Sequence, residues 1–318
     1  MALRSSLLVL CSALLLPMPA LADDGLALLQ RIAQGSRQLT YSGTFVYRSG
    51  GKVDTSRIAH SLSDGVELER IEALDGSPRE VVRADGEVKC FFPEEKLVII
   101  ENRSSQRGFP AMLPAGLGSL PEHYAIRSGG QGRVAGLKSR AVLLEPRDDL
   151  RYGHEFWMDA ASGLLLKANL VDARGETLES FTFTQVKIGG PLEQGALKPR
   201  FHSEQVRVQQ VRTTELKPAD MDWMFRTLLP GFRKVATMKR QVAPGSPESL
   251  HVVFSDGLAS ISVFIEPGGA AGEAETVAAV GPVNVYRRQL GEHRVVVMGE
   301  VPALAVRRLG DGVERRRK

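Results

Sequence analysis

The chain is nearly without cysteine: two of its 318 residues are Cys. One of these, Cys11, falls in an N-terminal apolar stretch expected to be removed, which leaves Cys90 alone. No intramolecular disulfide can then form, and the fold must rest on its core. A chain of this size can supply one, since large domains bury ~75% of their unfolded surface. Long apolar runs are also scarce. Leu7 to Leu16 is about half of the ~20 residues that a membrane-crossing helix needs, and no later segment approaches that length. Arg4 precedes this run, Pro17 and Pro19 break it, and Ala20-Leu21-Ala22 offers a small-x-small cleavage site. The stretch therefore reads as a secretory leader cut after Ala22, with the mature chain starting at Asp23. Acylation of Cys11 is the competing reading, and Leu10 stands where a small residue would be needed.

Charge of one sign is missing too. The formal net charge is +4 and falls to +3 once Arg4 leaves with the leader, too little to argue for nucleic-acid binding. Basic residues gather only at the end, in Arg307, Arg308 and Arg315 to Lys318, and read as a solvated tail. Catalytic signatures are lacking as well. His60, His123, His154, His202, His251 and His293 are scattered, with no pair at metal-ligand spacing. There is no Gly-x-Ser-x-Gly elbow, and Cys90 has no histidine near it in sequence. Gly130, Gly132 and Gly136 imitate a dinucleotide fingerprint, but the last glycine comes one place late and no helix follows. These absences point away from an enzyme, a bound metal or a cofactor.

What is present is a long series of alternating strands. Asp24 to Leu39 reads first as an amphipathic helix, with Leu26, Leu29 and Ile32 on one face and Leu28 and Ala33 beside it. Tyr41, Gly43, Phe45 and Tyr47 then alternate with polar residues. Gly50-Gly51, Asp64-Gly65, Asp75-Gly76 and Asp85-Gly86 cut the chain at near-regular spacing, the strongest short-range hairpin signals. Strands continue through Leu178 to Ile188, about ten in all. Glu67, Glu69, Arg70, Glu80 and Arg83 read as solvated strand faces. A sheet this long must curl as its twist accumulates, and one helix cannot cover its concave face. The Gly/Pro/Leu-rich stretch from Gln106 to Pro121, with Phe109, Met112, Leu113, Leu117 and Leu120, is expected to act as a second lid. A curved half-barrel with an apolar cavity results. Tyr41, Phe45, Tyr47, Phe91, Phe156, Phe181 and Phe183 are its candidate lining, with core packing as the plainer reading. Cys90 reads as a small buried hydrophobe.

After Gly189-Gly190-Pro191 the chain runs polar. The expected division is a large unit over 23–196, an extended linker over 197–220 and a smaller α+β unit over 221–318. The small unit carries Trp223, Leu228, Leu229 and Pro230-Gly231-Phe232, then strands paired through Asp256-Gly257 and Leu290-Gly291-Glu292, and a terminal helix over Ala303 to Leu309. Arg233, Lys234, Lys239 and Arg240 read as a solvated strand face.

Four stretches resemble the MucB/RseB family of periplasmic sigma-E regulators. Tyr41-Ser42-Gly43-Thr44-Phe45-Val46-Tyr47 resembles its opening strand. Arg151 to Asp159 with Ser162 to Lys167 is similar to its second signature. Phe254 to Ala259 with Ser262 to Pro267 is similar to that of its small domain, and Leu229 to Phe232 to the entry of that domain. They occur in the family's order, with Leu229 where a second proline is expected. The resemblance implies a mostly β, α+β fold: a half-open barrel like that of lipoprotein carriers with covering helices, plus a flexibly linked small domain. It implies a periplasmic regulator that binds the periplasmic segment of a membrane-spanning anti-sigma factor and shields it from proteolysis. Lipopolysaccharide or another acylated ligand is the implied release signal, and self-association into a homo-oligomer is expected. Trp223, Phe232, Arg233 and Phe264 are the candidate partner contacts. A lipid or lipoprotein carrier is the alternative, against which the second domain argues.

Overall fold

A computed structural model describes residues 24–84, 86–102, 113, 116–201, 206–217, 221–241, 245–268 and 274–316. The leader and its cleavage site, Phe109 and Met112 of the expected lid, His202, and Arg317 and Lys318 of the tail lie outside the described residues. Helix α1 (Asp24–Gln38) opens the chain. Strands β1 (Tyr41–Ser49), β2 (Lys52–Ser63), β3 (Val66–Ala73), β4 (Glu80–Ala84), β5 (Glu87–Phe92) and β6 (Leu97–Asn102) follow as a meander. The short α2 (Leu120–His123) leads into β7 (Tyr124–Val134), β8 (Leu137–Pro146), β9 (Gly153–Asp159), β10 (Leu165–Val171) and β11 (Thr177–Ile188). Strand β1 pairs with both β2 and β11, so the second meander joins the first, giving the spatial order β7-β8-β9-β10-β11-β1-β2-β3-β4-β5-β6. Its two outer strands do not pair with each other, and the sheet is a curved, open half-barrel. Turn chemistry set these hairpins: Asp64 and Gly65 both take positive φ, at 53° and 80°, as the tightest loops require.

Helix α1 lies in the concavity with Leu28, Leu29, Ile32 and Ala33 buried. Its approach is close because Gly35 faces the β9–β10 turn: a Cβ there would sit 2.8 Å from the backbone of Gly163. Leu113, Leu117 and Leu120 add to the same core, so the described part of the expected lid packs inward. The convex face is covered too, by the chain that follows β11. The buried Arg70 Nε donates to Glu80 at 2.6 Å, and Glu80 in turn accepts the backbone N–H groups of Arg200 and Phe201 at 3.0 and 3.2 Å. Glu69, Arg70 and Glu80 are at most 5% exposed, which corrects their reading as solvated: a distant segment covers the paired Arg70 and Glu80, while Glu69, on the other face of β3, is paired with Arg83.

The stretch read as an extended linker holds a strand, β12 (Arg207–Glu215). From Arg207 to Val211 it runs parallel to β6, and from Arg212 to Glu215 it runs antiparallel to β14 (Arg233–Gln241). One strand thus belongs to both sheets. The small sheet continues through β15 (Ser249–Ser255), β16 (Ser260–Pro267), β19 (His293–Gly299), β18 (Val283–Leu290) and β17 (Thr276–Val280). Helix α3 (Ala303–Asp311) packs on β18 and β19, and β13 (Trp223–Phe225) pairs with β20 (Val313–Arg315). Two hydrophobic cores result, one per sheet, and each borrows a residue from the other side: Leu150 enters the small core, and Leu258 packs on the large one.

Candidate functional site

The concave face of the large sheet is used in two ways. Beneath α1 it is packed solid. Tyr41, Phe45, Phe156, Phe181 and Phe183 belong to one core, with the rings of Phe45 and Phe181, and of Phe181 and Phe183, 5.0 Å apart. Beyond the helix the same face opens into a cavity of about 900 Å³, roofed by the small domain. Phe45, Tyr47, Ile71, Val81, Cys90 and Phe92 rise from β1, β3, β4 and β5, while Leu258, Phe264 and Met298 come down from the other side.

Of the residues expected to line a lipid pocket, Phe45 and Tyr47 face this cavity, and Phe156 and Phe181 reach a recess at its end. Tyr41 and Phe183 do not reach it. Phe91 stands on the opposite face of β5, against Phe201, because neighbours on a strand point to opposite sides. Its neighbours Cys90 and Phe92 take the cavity positions, so Cys90 is a half-buried lining residue. The expected partner contacts are dispersed. Trp223 is in the small core with its ring 5.1 Å from His293. Phe232 is buried at the domain boundary, Arg233 is exposed, and Phe264 is in the cavity roof, stacked on His251.

The domain boundary is organised by a charge pair not singled out from the sequence. Arg151 Nη1 donates to Asp256 Oδ2 at 2.7 Å, with both side chains wholly buried. Its Nε donates to Asp148 at 2.9 Å and its Nη2 to the Pro230 carbonyl at 2.6 Å. Tyr124 and Phe232 lie against the guanidinium, their centroids 5.6 and 5.0 Å away. Tyr124 also donates its hydroxyl to Asp256 at 3.1 Å, and burial, reinforced by that carboxylate, raises the phenol's pKa. The other oxygen of Asp256 accepts Leu258 and Ala259 N–H, shaping the turn that roofs the cavity. Arg240 adds a second cross-boundary contact, 3.4 Å from Glu101. The only sequence signal was that Arg151 and Asp256 each fall inside a stretch carrying the family resemblance.

The far end of the cavity is acidic. Glu179 on β11 and Glu300 after β19 line the same recess. Burial, aided by the Glu300 charge, pushes the Glu179 carboxyl up to about 7, and burial raises Glu300 as well. His154, stacked on Phe156, is driven down to about 4 by burial and is neutral at ordinary pH. Among the described residues no three His, Cys, Asp or Glu groups could hold a metal ion, and no helix is long and apolar enough to cross a membrane.

An open antiparallel sheet, a smaller α+β unit zipped to it through a shared strand, and a cavity between them lined by both apolar and charged side chains define a two-domain binding protein. The chain belongs to the MucB/RseB family: residues 24–201 match the MucB/RseB N-terminal domain and residues 217–314 the C-terminal domain. It is 33% identical over 312 residues to the sigma factor AlgU regulatory protein MucB of Pseudomonas aeruginosa, covering 94% of this chain and 93% of that one. It is 23% identical over 298 residues to the sigma-E factor regulatory protein RseB of Escherichia coli, covering 91% and 90%. The crystal structure of MucB in complex with MucA(peri) superposes with a TM-score of 0.72 at 32% identity, covering 93% of this chain and all of that one. That of MucB alone gives 0.65 at 30% identity, covering 92% and 98%.

Proposed function

We propose that this protein is a periplasmic regulator of a sigma-E-type response. It binds the periplasmic part of a membrane-spanning anti-sigma factor, shields it from regulated proteolysis and releases it when a lipopolysaccharide or related acylated molecule enters the cavity. Its action is stoichiometric binding rather than catalysis, performed after export and removal of residues 1–22. The partner reading is supported by family membership and by the MucA-bound structures of its relative. The arrangement here superposes better on partner-bound MucB than on MucB alone, which supports reading it as the partner-binding state.

One observation carries the lipid part: a cavity with apolar side chains such as Phe45, Ile71, Phe92 and Phe264 has a floor from one domain and a roof from the other. An acyl chain entering it gains ~0.8 kcal/mol per buried methylene and must displace contacts that hold the domains together. Lipid-bound and partner-bound forms then compete, and the lipid acts through its differential affinity for the two. The connection over 197–220 carries the movement, between units spanning 23–196 and 221–318. Self-association belongs to the same reading and is checked by light scattering of the purified chain.

The test is calorimetric titration with the periplasmic segment of the cognate anti-sigma factor, repeated with lipopolysaccharide fragments present. Tight binding weakened by the fragments is expected. Binding that ignores them overturns the release mechanism, and lipid uptake without partner binding favours a carrier. Phe45→Leu, in a variant that still folds, should blunt the lipid effect.

A further inference from the structure

Two acidic side chains, one from each domain, face the same small space at the end of the interdomain cavity. Glu179 and Glu300 close a recess with His154, Phe156 and Leu170. Glu179 is 9% exposed, and its Oε2 has no hydrogen-bond partner, although the Tyr47 hydroxyl of β1 donates to the carboxylate. The domains touch beside it. Ser49 pairs with Glu179, and the next residue, Gly50, abuts Gly281 of the β17–β18 turn so closely that a Cβ on Gly50 would lie 3.0 Å from the Gly281 Cα.

No cation answers the pair among the described residues. His154 on β9 is neutral, and Asp54 on β2 brings a third acid to the cavity wall. Strand β10 contributes Ala168, Asn169 and Leu170 to the recess, none of them charged. Arg79 and Arg83 line the cavity too, but from the β4 end of the sheet. Four strand spacings separate β4 from β11, roughly 19 Å along the sheet at ~4.8 Å each, and Arg83 is paired with Glu69. Arg48, Lys52 and Lys167 border the groove on the other face of β1 and β11.

We propose that Glu179 and Glu300 make domain closure proton-dependent, so that the protein responds to pH as a second input beside its macromolecular partner. With one proton between them, the two carboxyl groups attract and the domains close on this recess. With none, the exposed Glu300 carboxylate faces the buried charge of Glu179, and this end of the interface opens. The Glu179 carboxyl, held at about 7 against an ordinary 4.5, has the direction this requires. A group whose pKa is raised in the closed form favours closure fully below its ordinary value, and that preference is lost as pH rises to about 7. The closed-to-open ratio then changes by up to about tenfold per pH unit for the one proton released. The inference concerns the empty protein and does not depend on the cavity's taking a lipid.

The test uses the chain from Asp23 onward, which leaves out Cys11, with Cys90→Ser and spin labels at Val53→Cys and Val277→Cys, both exposed and on opposite sides of the Gly50–Gly281 contact. Electron–electron distances are measured from pH 5.5 to 8.5. A single short distance is expected at pH 5.5, with a longer one growing in around pH 7 and the short-to-long ratio falling at least about tenfold across the range. Glu179→Gln should keep the short distance throughout, and Glu300→Gln, which leaves Glu179 buried, should move the change to lower pH. A distribution that ignores pH overturns the proposal, as does a pH course that both glutamine variants retain. If Glu179→Gln fails to fold, Glu300→Gln at its exposed site decides alone.

Discussion

The two ends of the domain boundary are both charged and each buries at least one of its charges, yet they are built on opposite plans. At one end Arg151 meets Asp256, spends its donors on Asp148, Asp256 and the Pro230 carbonyl, and is covered by Tyr124 and Phe232. At the other, Glu179 meets Glu300 and keeps an oxygen without a partner. Burial magnifies both interactions, because the low local dielectric strengthens a complete pair and penalises an incomplete one. The first end behaves as a fastening, the second as a point where the boundary yields. The cavity lies between, reached by the turn Asp256 shapes and by the recess Glu179 and Glu300 share.

That contrast can be broken most forcefully at the fastened end. Asp256→Ala leaves the buried Arg151 with Asp148 as its remaining carboxylate partner, and urea unfolding should show a loss of about 3–5 kcal/mol. Pairing Arg151→Met with Asp256→Leu should restore most of it. If the double variant stays as unstable as the single one, the turn bonds of Asp256 matter more than the ion pair. Next in size is Gly231→Ala. Gly231 has φ +77°, and a Cβ there would fall 2.3 Å from His123 Nε2 across the boundary. Backbone strain and this clash together should cost about 2–3 kcal/mol, read as a lowered thermal midpoint.

At the yielding end the sign reverses, and removing a charge should help. Glu179 has its carboxyl raised to about 7, so its ionisation works against the folded, closed form above that pH. Glu179→Gln should therefore stabilise the protein by ~1–3 kcal/mol at pH 8 and by almost nothing at pH 5, in urea titrations at the two pH values. An equal gain at both would show that charge is not the cause. The smallest effect is expected away from the boundary: Arg226, 65% exposed and 2.6 Å from Glu314, should cost about 0–1 kcal/mol as Arg226→Ala in thermal unfolding.

The local parts of this molecule were readable because local chemistry dictates them. The Asp-Gly and Gly-Gly turns, the apolar stripe of α1 and the period-two strands each carry their own signal. The open sheet followed from strand number and accumulated twist. Nonlocal features were another matter. Phe91 was assigned to the cavity, where Cys90 and Phe92 stand, because aromatic content does not reveal which face a residue takes. Glu69, Arg70 and Glu80 look solvated in sequence, and Glu80 is covered by residues 120 positions later. Arg151 and Asp256 are 105 residues apart. Nothing in either stretch announces the other, so the site at the boundary appeared only once the chain was folded.

Strand β12 has one more consequence. Its first half is bonded to β6 and its second to β14, so the backbone ladder passes from sheet to sheet without interruption. A small domain held this way does not wander on a tether. It can swing about the changeover at Val211 and Arg212, as a page swings about its binding. Reclosure is then an intramolecular event, favoured by the high effective concentration that a short connection confers.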